Sequence, residues 1–164
     1  MTSDQEQLVD AVPAPEQYIG HLLRRVQQVH LAAWTRDVSI EVTSVQFAAM
    51  SVLARNPGAS QAALGKALDL DRSTIADMVR RMAARELLTR TRSTDDSRRY
   101  VLHLTTRGRR LLDDLRPRVE GLEPVLTAGL DTMEAAQLRR FLRAVLASAA
   151  AVGLLAGATP DTPD

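Results

Sequence analysis

Apolar side chains recur at three- and four-residue steps along most of the chain, which is the spacing of one face of an α-helix. The first such stretch begins near Pro15, a residue favoured in the first turn of a helix. The positions on its expected inner stripe are Ile19, Leu22, Leu23, Val26, His30 and Ala33. The pattern therefore predicts a first helix within residues 15–36.

Start and stop signals divide the next part of the chain into three shorter helices. Thr43 or Ser44 is expected to cap the second helix, which ends at residues 56–58, an Asn-Pro-Gly sequence. Ser60 is the expected cap of the third helix and Asp71 that of the fourth. The fourth helix has a predicted buried stripe of Ile75, Met78, Val79 and Met82. Its opposite face is polar and is expected to meet solvent.

The spacing changes after the fourth helix from the helical period to a period of two. Leu87 and Leu88 open one predicted strand, and Tyr100, Leu102 and Leu104 alternate with their neighbours in the next. The turn at residues 93–97 is rich in serine, threonine and aspartate, which bond their own backbone. A helix pair followed at once by a short hairpin predicts a winged helix-turn-helix over residues 43–104.

Two long helices are expected over residues 105–152. Thr105 is the predicted cap of the first, and Pro117 and Pro124 are expected to bend or interrupt it, because each removes an amide donor. Asp131 with Glu134 predicts a capping box for the last helix. Residues 1–14 and 153–164 are expected to be loose tails. The predicted fold class is mainly α with a small β-wing, flanked by N- and C-terminal helices.

Charge is distributed unevenly along the chain. The 164 residues carry a net charge of +1, but residues 60–110 contain eleven arginines and carry +6, which leaves −5 elsewhere. Positive charge beside a helix pair is typical of a protein that binds duplex DNA, because neutralised phosphates release counterions. A basic run taken alone is more often a solvated surface.

Composition excludes several other classes of function. Cysteine is absent, so neither a disulfide framework nor a thiol switch is possible. The three histidines have no metal-ligand spacing, and we expect neither a metal site nor a cofactor. The sequence has no phosphate-binding glycine loop and no nucleophile beside a base, so we expect no enzyme. Without a signal pattern or a membrane-spanning apolar run, a cytoplasmic location is expected.

Three segments together carry a family resemblance. They are Ser60-Gln61-x-x-Leu64-Gly65-x-x-Leu68-x-Leu70-Asp71-Arg72-Ser73-Thr74-Ile75, Asp95-Asp96-Ser97-Arg98-Arg99 and Leu104-Thr105-x-x-Gly108. In this order and spacing they resemble the winged helix of the MarR family of bacterial transcriptional regulators. The resemblance implies a homodimer, held by its first and last two helices, that binds a pseudo-palindromic DNA operator. Repression is the commoner behaviour in that family.

The resemblance also implies which side chains would contact DNA. On the fourth helix these are Arg72 near the DNA backbone, with Ser73, Thr74, Asp77, Arg80 and Arg81 at the major groove. Arginine can bind guanine through two parallel hydrogen bonds. Asp77 leaves two alternatives open, since it could accept a hydrogen bond from cytosine or hold a neighbouring arginine in position.

Two wing arginines, Arg98 and Arg99, fall where related chains insert an arginine into the minor groove. The narrow groove concentrates negative potential, which attracts a guanidinium group. In the alternative interpretation, Asp95 and Asp96 neutralise them on a solvated turn.

The first helix carries polar side chains along one slanting ridge, Arg24, Gln27 and His30, followed by Trp34. This segment resembles the branch of the family that senses aromatic carboxylic acids such as protocatechuate. The resemblance implies that Arg24 binds a carboxylate, that His30 bonds a ring substituent and that Trp34 forms an apolar wall. The alternatives are a surface arginine, an interface histidine and a core tryptophan. A regulator with a different effector or none, and a non-specific architectural DNA binder, also remain open.

Overall fold

The structure, a computed structural model, describes residues 14–92 and 100–155. A 3-10 turn, Pro15–Gln17, precedes helix α1, and a short π-helix, Trp34–Val38, continues it. In chain order the helices and strands are α1 (Ile19–Ala33), α2 (Ser44–Arg55), β1 (Ala59–Ser60), α3 (Gln61–Leu68), α4 (Arg72–Ala84), β2 (Leu88–Arg92), β3 (Tyr100–Leu104), α5 (Thr106–Leu126) and α6 (Thr132–Ala151). A mainly helical chain with a small antiparallel sheet confirms the predicted fold class.

Side-chain caps fix where the helices begin. At α2, the Thr43 hydroxyl accepts from the Gln46 amide at 3.2 Å, and the Gln46 side chain accepts from the Thr43 amide at 3.1 Å. Asp131 begins α6 with the same reciprocal arrangement. Ser60 and Thr105 each accept one amide hydrogen bond at the starts of α3 and α5. These caps satisfy amides that have no partner within the helix, and they confirm the predicted helix starts.

A single hydrophobic core joins α2, α3, α4, the sheet and α5. The predicted stripe of α4 is buried in it at all four positions. Met50 and Leu53 from α2, Leu64 from α3 and Leu102 from β3 are among the side chains that complete it. Because α4 is fixed by this stripe, its opposite face is turned to solvent.

The sheet has the strand order β1-β3-β2, with both pairings antiparallel. The hairpin confirms the two predicted strands, and it pairs Arg90 with Leu102 and Arg92 with Tyr100. Strand β1 was not predicted, because its two residues are too short to show an alternating pattern. It adds Ala59 opposite Leu102 and so ties the start of α3 to the hairpin.

Helix α5 runs without a break through Pro117 and Pro124, so the interruption that these prolines predict does not occur. Leu115 and Leu122 lie on either side of Pro117, and both are buried in the core. Side-chain packing before and after the proline therefore holds the helix together where a backbone hydrogen bond is missing.

The two terminal helices, in contrast, leave most of their apolar side chains exposed. Within the described residues, α1 buries only Ala33 and α6 only Ala135. The exposed apolar side chains of the two helices include Ile19, Leu22, Leu23, Val26, Val29, Leu138, Phe141, Leu142, Val145 and Leu146. The described residues of the chain do not cover these faces.

The close approach of α5 to the hairpin predicts a strong effect of one substitution, Gly108→Ala. A Cβ at Gly108 would lie 1.9 Å from the Leu87 carbonyl oxygen, which accepts the Thr105 amide and cannot easily move. We expect the free energy of unfolding to fall by roughly 3 kcal/mol, at the upper end of overpacking costs. Urea unfolding at fixed protein concentration, followed by circular dichroism, measures this change.

Gly121 of the same helix supplies the matched control. An added Cβ there meets no atom within 4 Å, so Gly121→Ala should leave stability unchanged or raise it by up to about 1 kcal/mol. A Gly108→Ala variant as stable as Gly121→Ala would contradict the close packing of Gly108 against Leu87.

Candidate functional site

The first turn of α4 is organised by one carboxylate, that of Asp71. It accepts the backbone amides of Ser73 and Thr74, each at 2.9 Å, and also both of their hydroxyl groups at 2.5 Å. The hydrogen bonds from the Ser73 and Thr74 side chains hold the pKa of Asp71 well below its usual range. This cap therefore stabilises the folded chain at pH values above the usual carboxyl pKa, and its contribution is lost as the pH falls through the acidic range.

These bonds also determine what the two hydroxyl groups can offer to a ligand. Each hydroxyl has a single hydrogen, and Ser73 and Thr74 both donate theirs to Asp71. Their lone pairs remain available. In this arrangement the first turn of α4 presents two exposed hydrogen-bond acceptors, which match the amino groups of cytosine and adenine.

Further along the same face, Asp77 pairs with two arginines. Its carboxylate lies 2.6 Å from the Arg81 guanidinium and also bonds the Arg80 guanidinium. Both arginines are exposed, and Arg72 is exposed at the start of the helix. Of the two roles that the sequence left open for Asp77, these ion pairs favour the second, in which the carboxylate positions the arginines.

The predicted wing residues Arg98 and Arg99 lie outside the described residues. Strand β2, which precedes this turn, carries two arginines that the sequence analysis did not assign to a site. Arg90 lies 3.9 Å above the ring of Tyr100, and Arg92 lies 6.0 Å from the centre of the same ring. The pairing of β2 with β3 brings these three side chains together. The sequence analysis missed this arrangement because it depends on the strand register, which the sequence does not give.

Of the predicted ligand residues, the structure brings His30 and Trp34 together. Their ring centres lie 6.0 Å apart in an edge-to-face arrangement. On the other helix, α2, Phe47 packs with its ring centre 5.8 Å from that of Trp34. Trp34 is only 5% exposed, and its indole N–H donates to the Val42 carbonyl at 2.7 Å. The tryptophan is therefore a member of the core, and the half-buried His30 packs edge-to-face against it.

The other two predicted ligand residues, Arg24 and Gln27, are exposed on α1. Arg24 precedes His30 by six residues, which is about 9 Å along a helix axis. A separate open cleft of about 500 Å³ lies between Glu41, Arg85 and the start of α5, and none of the four predicted residues lines it. Among the described residues, no group of acidic and histidine side chains could hold a metal ion.

Comparison with known proteins decides the family. The sequence model of the MarR family matches residues 42–100. The transcriptional repressor NicR of Pseudomonas putida is 32% identical over 131 residues, which cover 79% of this chain and 83% of NicR. A putative regulatory protein for the hcr operon of Thauera aromatica is 34% identical over 86% of this chain and 85% of its own. The chain belongs to the MarR family.

Solved structures of other MarR-family members agree in fold. PcaV of Streptomyces coelicolor, crystallised with its natural ligand, is 38% identical with a TM-score of 0.81, over 85% of this chain and 99% of PcaV. BpsR of Bordetella bronchiseptica, whose DNA binding is regulated by 6-hydroxynicotinic acid, is 27% identical with a TM-score of 0.77, over 82% of this chain and 96% of its own. As a member of this family, the chain is a transcriptional regulator. The relatives named here are regulators and not enzymes.

None of the helices in residues 14–92 and 100–155 combines the length and the apolar character needed to cross a membrane.

The buried position of Trp34 predicts the effect of Trp34→Phe. The substitution removes the donor to the Val42 carbonyl and leaves that buried oxygen without its partner. We expect the free energy of unfolding to fall by about 1–3 kcal/mol. Urea unfolding followed by circular dichroism measures this change, because the substitution removes the one tryptophan that fluorescence would report. Lys66→Ala, at an exposed position of α3, is the control and should change stability by less than about 0.5 kcal/mol. Equal losses in the two variants would refute this role of Trp34.

Proposed function

We propose that this MarR-family regulator is a homodimeric repressor that leaves its operator when a small aromatic acid binds. The observation that carries the proposal is the outer face of α4. There, two carboxylates order four exposed polar side chains, Ser73, Thr74, Arg80 and Arg81. A rigid helix with an ordered polar face is what insertion into the major groove requires.

The magnitudes favour exchange of the Asp77 ion pairs for contacts with DNA. An exposed ion pair contributes only about 0–1 kcal/mol, whereas a well-formed bidentate contact between arginine and guanine contributes about 1–3 kcal/mol of discrimination. Arg80 or Arg81 would therefore leave Asp77 where a guanine is correctly placed. At other sequences the arginines stay paired, and the carboxylate repels the phosphates. Asp77 would act as a filter for sequence.

The exposed faces of α1 and α6 support the homodimer. Ile19 is 72% exposed and Phe141 55% exposed, and each lies within a row of exposed apolar side chains. A contiguous apolar surface of this kind marks an interface, and a second copy related by a two-fold axis would cover both faces. That symmetry would place two α4 helices about one turn of DNA apart. The wing arginines Arg98 and Arg99 would then reach the adjoining minor grooves.

A ligand site at the edge of α1 follows from the same dimer. His30 rests on the Trp34 ring and supplies a polar group above an apolar floor. Arg24 and Gln27 are exposed in the single chain, on the helix that a second copy would cover, so dimerisation would enclose them. Arginine with histidine over an aromatic floor suits a small aromatic acid. BpsR, whose DNA binding is regulated by 6-hydroxynicotinic acid, supports this class of effector, and PcaV, crystallised with its natural ligand, supports a ligand site in this fold.

The route from ligand to DNA would pass through the end of α1. The π-helix Trp34–Val38 joins α1 to the winged helix-turn-helix of residues 43–104, the winged module, and the Trp34 N–H bond to Val42 fixes the connection. A ligand wedged against His30 would favour a different tilt of α1. The spacing of the two α4 helices would then no longer match the half-sites, and the affinity for DNA would fall.

The filter role of Asp77 predicts the outcome of Asp77→Asn. Loss of the carboxylate should raise affinity for unrelated DNA roughly 2–10-fold, because repulsion from phosphates is removed and two arginines are released. Discrimination between cognate and unrelated DNA should fall. Fluorescence anisotropy at fixed salt measures both affinities, with a duplex enriched from random sequences by the native protein and a scrambled duplex of equal composition.

Asp113→Asn is the matched control, since it breaks an equivalent ion pair, with Arg116, on α5. It should leave both affinities unchanged. The same ratio of affinities in the native protein and the Asp77→Asn variant would exclude a role for Asp77 in specificity.

The ligand site predicts the outcome of Arg24→Ala. Calorimetry with protocatechuate and with 6-hydroxynicotinic acid should show binding of at least one acid to the native protein. Arg24→Ala should weaken that binding 10-fold or more, because a charge-assisted hydrogen bond contributes about 1.5–3 kcal/mol. The native protein should release the enriched duplex when the acid is added, and Arg24→Ala should keep it.

Arg25→Ala, at the next exposed position of α1, serves as the control and should behave like the native chain. Equal heats for the native protein and Arg24→Ala would remove Arg24 from the site. A stable monomer in sedimentation, or equal affinity for the enriched and the scrambled duplex, would overturn the proposed function as a whole.

A further inference from the structure

The described part of the wing contains an ordered pair of arginines around one aromatic ring. Arg90 and Arg92 lie on the same face of β2, opposite Leu102 and Tyr100 of β3. This face begins in the core, where Leu88 pairs with Leu104, and it ends in solvent, where Tyr100 is 38% exposed. Past the core, Tyr100 has two guanidinium groups beside it, one at 3.9 Å and the other at 6.0 Å.

Stacking on the ring leaves the N–H donors of a guanidinium group available for hydrogen bonds to a ligand. The central carbon of the Arg90 guanidinium lies 3.9 Å from the ring centre, a distance that suits stacking of its flat face on the ring, and its five N–H donors lie in the plane of the group. The ring therefore restricts the side chain without covering the donors. Arg90 is held in this way, with Arg92 beside the same ring at 6.0 Å, so less rotamer freedom is lost when the pair binds an anion.

The spacing of the two arginines suits the backbone of a nucleic acid. Residues two apart on one strand lie about 6.8 Å from each other, similar to the distance between successive phosphates on one DNA strand. Arginine recognises phosphate through parallel hydrogen bonds. Strand β2 begins four residues after α4 ends, and Leu88 and Met82 are anchored in the same core. Strand β2 and helix α4 are therefore held in a fixed relative position by the core that they share.

We propose that Arg90, Arg92 and Tyr100 form a phosphate clamp that binds the sugar-phosphate backbone of one DNA strand, with Tyr100 as the positioning residue. This inference rests on the proposed DNA-binding function and adds an interaction that does not read sequence. Phosphate contacts carry no base information, so the clamp should strengthen binding to cognate and unrelated duplexes alike. It should fix the register of the wing on the DNA.

The test is a set of anisotropy titrations at several salt concentrations with the enriched and the scrambled duplex. The Arg90→Gln/Arg92→Gln variant should bind both more weakly, and the slope of log affinity against log salt should become shallower by about 0.9 for each phosphate that is no longer neutralised. Tyr100→Leu should weaken binding to both roughly 3–10-fold with little change in slope, because ordering is removed but charge is kept. Tyr100→Phe keeps the ring and should restore most of that affinity.

Arg36→Gln/Arg116→Gln removes the same charge from exposed positions on the connection after α1 and on α5, and it serves as the control. If the salt slope of the Arg90→Gln/Arg92→Gln variant equals that of this control, the clamp does not bind phosphate. If Tyr100→Leu binds as tightly as the native protein, Tyr100 does not position the arginines.

A second variant covers the case in which Tyr100→Leu is less stable in thermal unfolding. Arg90→Lys/Arg92→Lys keeps both charges but removes the planar groups that stack on the ring. It should lose affinity as Tyr100→Leu does and keep the native slope, and native affinity in this variant would overturn the role of stacking. A native protein that prefers neither duplex would instead overturn the proposed function, which separates the two failures.

Discussion

Burial of one stripe of α4 is the constraint that sets the direction of every side chain proposed to meet DNA on this helix. Ile75, Met78, Val79 and Met82 are packed into the core that α2, the sheet and α5 share. A helix fixed along one side has no freedom to rotate, so the opposite side must face solvent. The polar side chains of α4 lie on that side, and their direction is a consequence of apolar packing.

The terminal helices show the opposite situation. The winged module buries most of its apolar side chains, whereas α1 and α6 leave most of theirs uncovered within the described residues. The module is therefore complete as a folded unit, and the two helices are not. Trp34 connects these parts, since it ends α1, packs in the core and bonds the Val42 carbonyl. Any change in the packing of α1 would act on the module through this connection.

Polar groups on the proposed DNA side are ordered by contacts within the chain itself. Asp71 holds the hydroxyl groups of the first turn of α4, and Asp77 holds two arginines. Tyr100 does the same for Arg90 with an aromatic face. Ordering a side chain in advance lowers the entropy cost of binding, at the expense of a weak interaction that is easily exchanged. Within the basic segment, Asp77 thus positions two positive charges and Asp71 positions two hydroxyl groups.

Local patterns in the sequence were enough to predict the elements and their caps, because these depend on neighbours a few residues away. Thr105, Asp71 and Ser60 were predictable as caps, and the α4 stripe followed from its period. Membership of the MarR family could also be predicted from the sequence, since the family's motifs follow one another in order between Ser60 and Gly108. The proposed contacts of Arg24 and Gln27 remain predictions, because a single chain leaves both side chains exposed.

Features that join residues far apart in the chain emerged only from the folded structure. It placed Trp34 in the core through Val42, and it paired the short strand β1 with β3. It kept α5 continuous through two prolines, because buried leucines before and after Pro117 outweigh the local preference of the backbone. It also set Arg90 over Tyr100 through the register of the hairpin. Periodicity and capping are local, whereas packing and register depend on which segments meet, and a one-dimensional pattern does not contain that information.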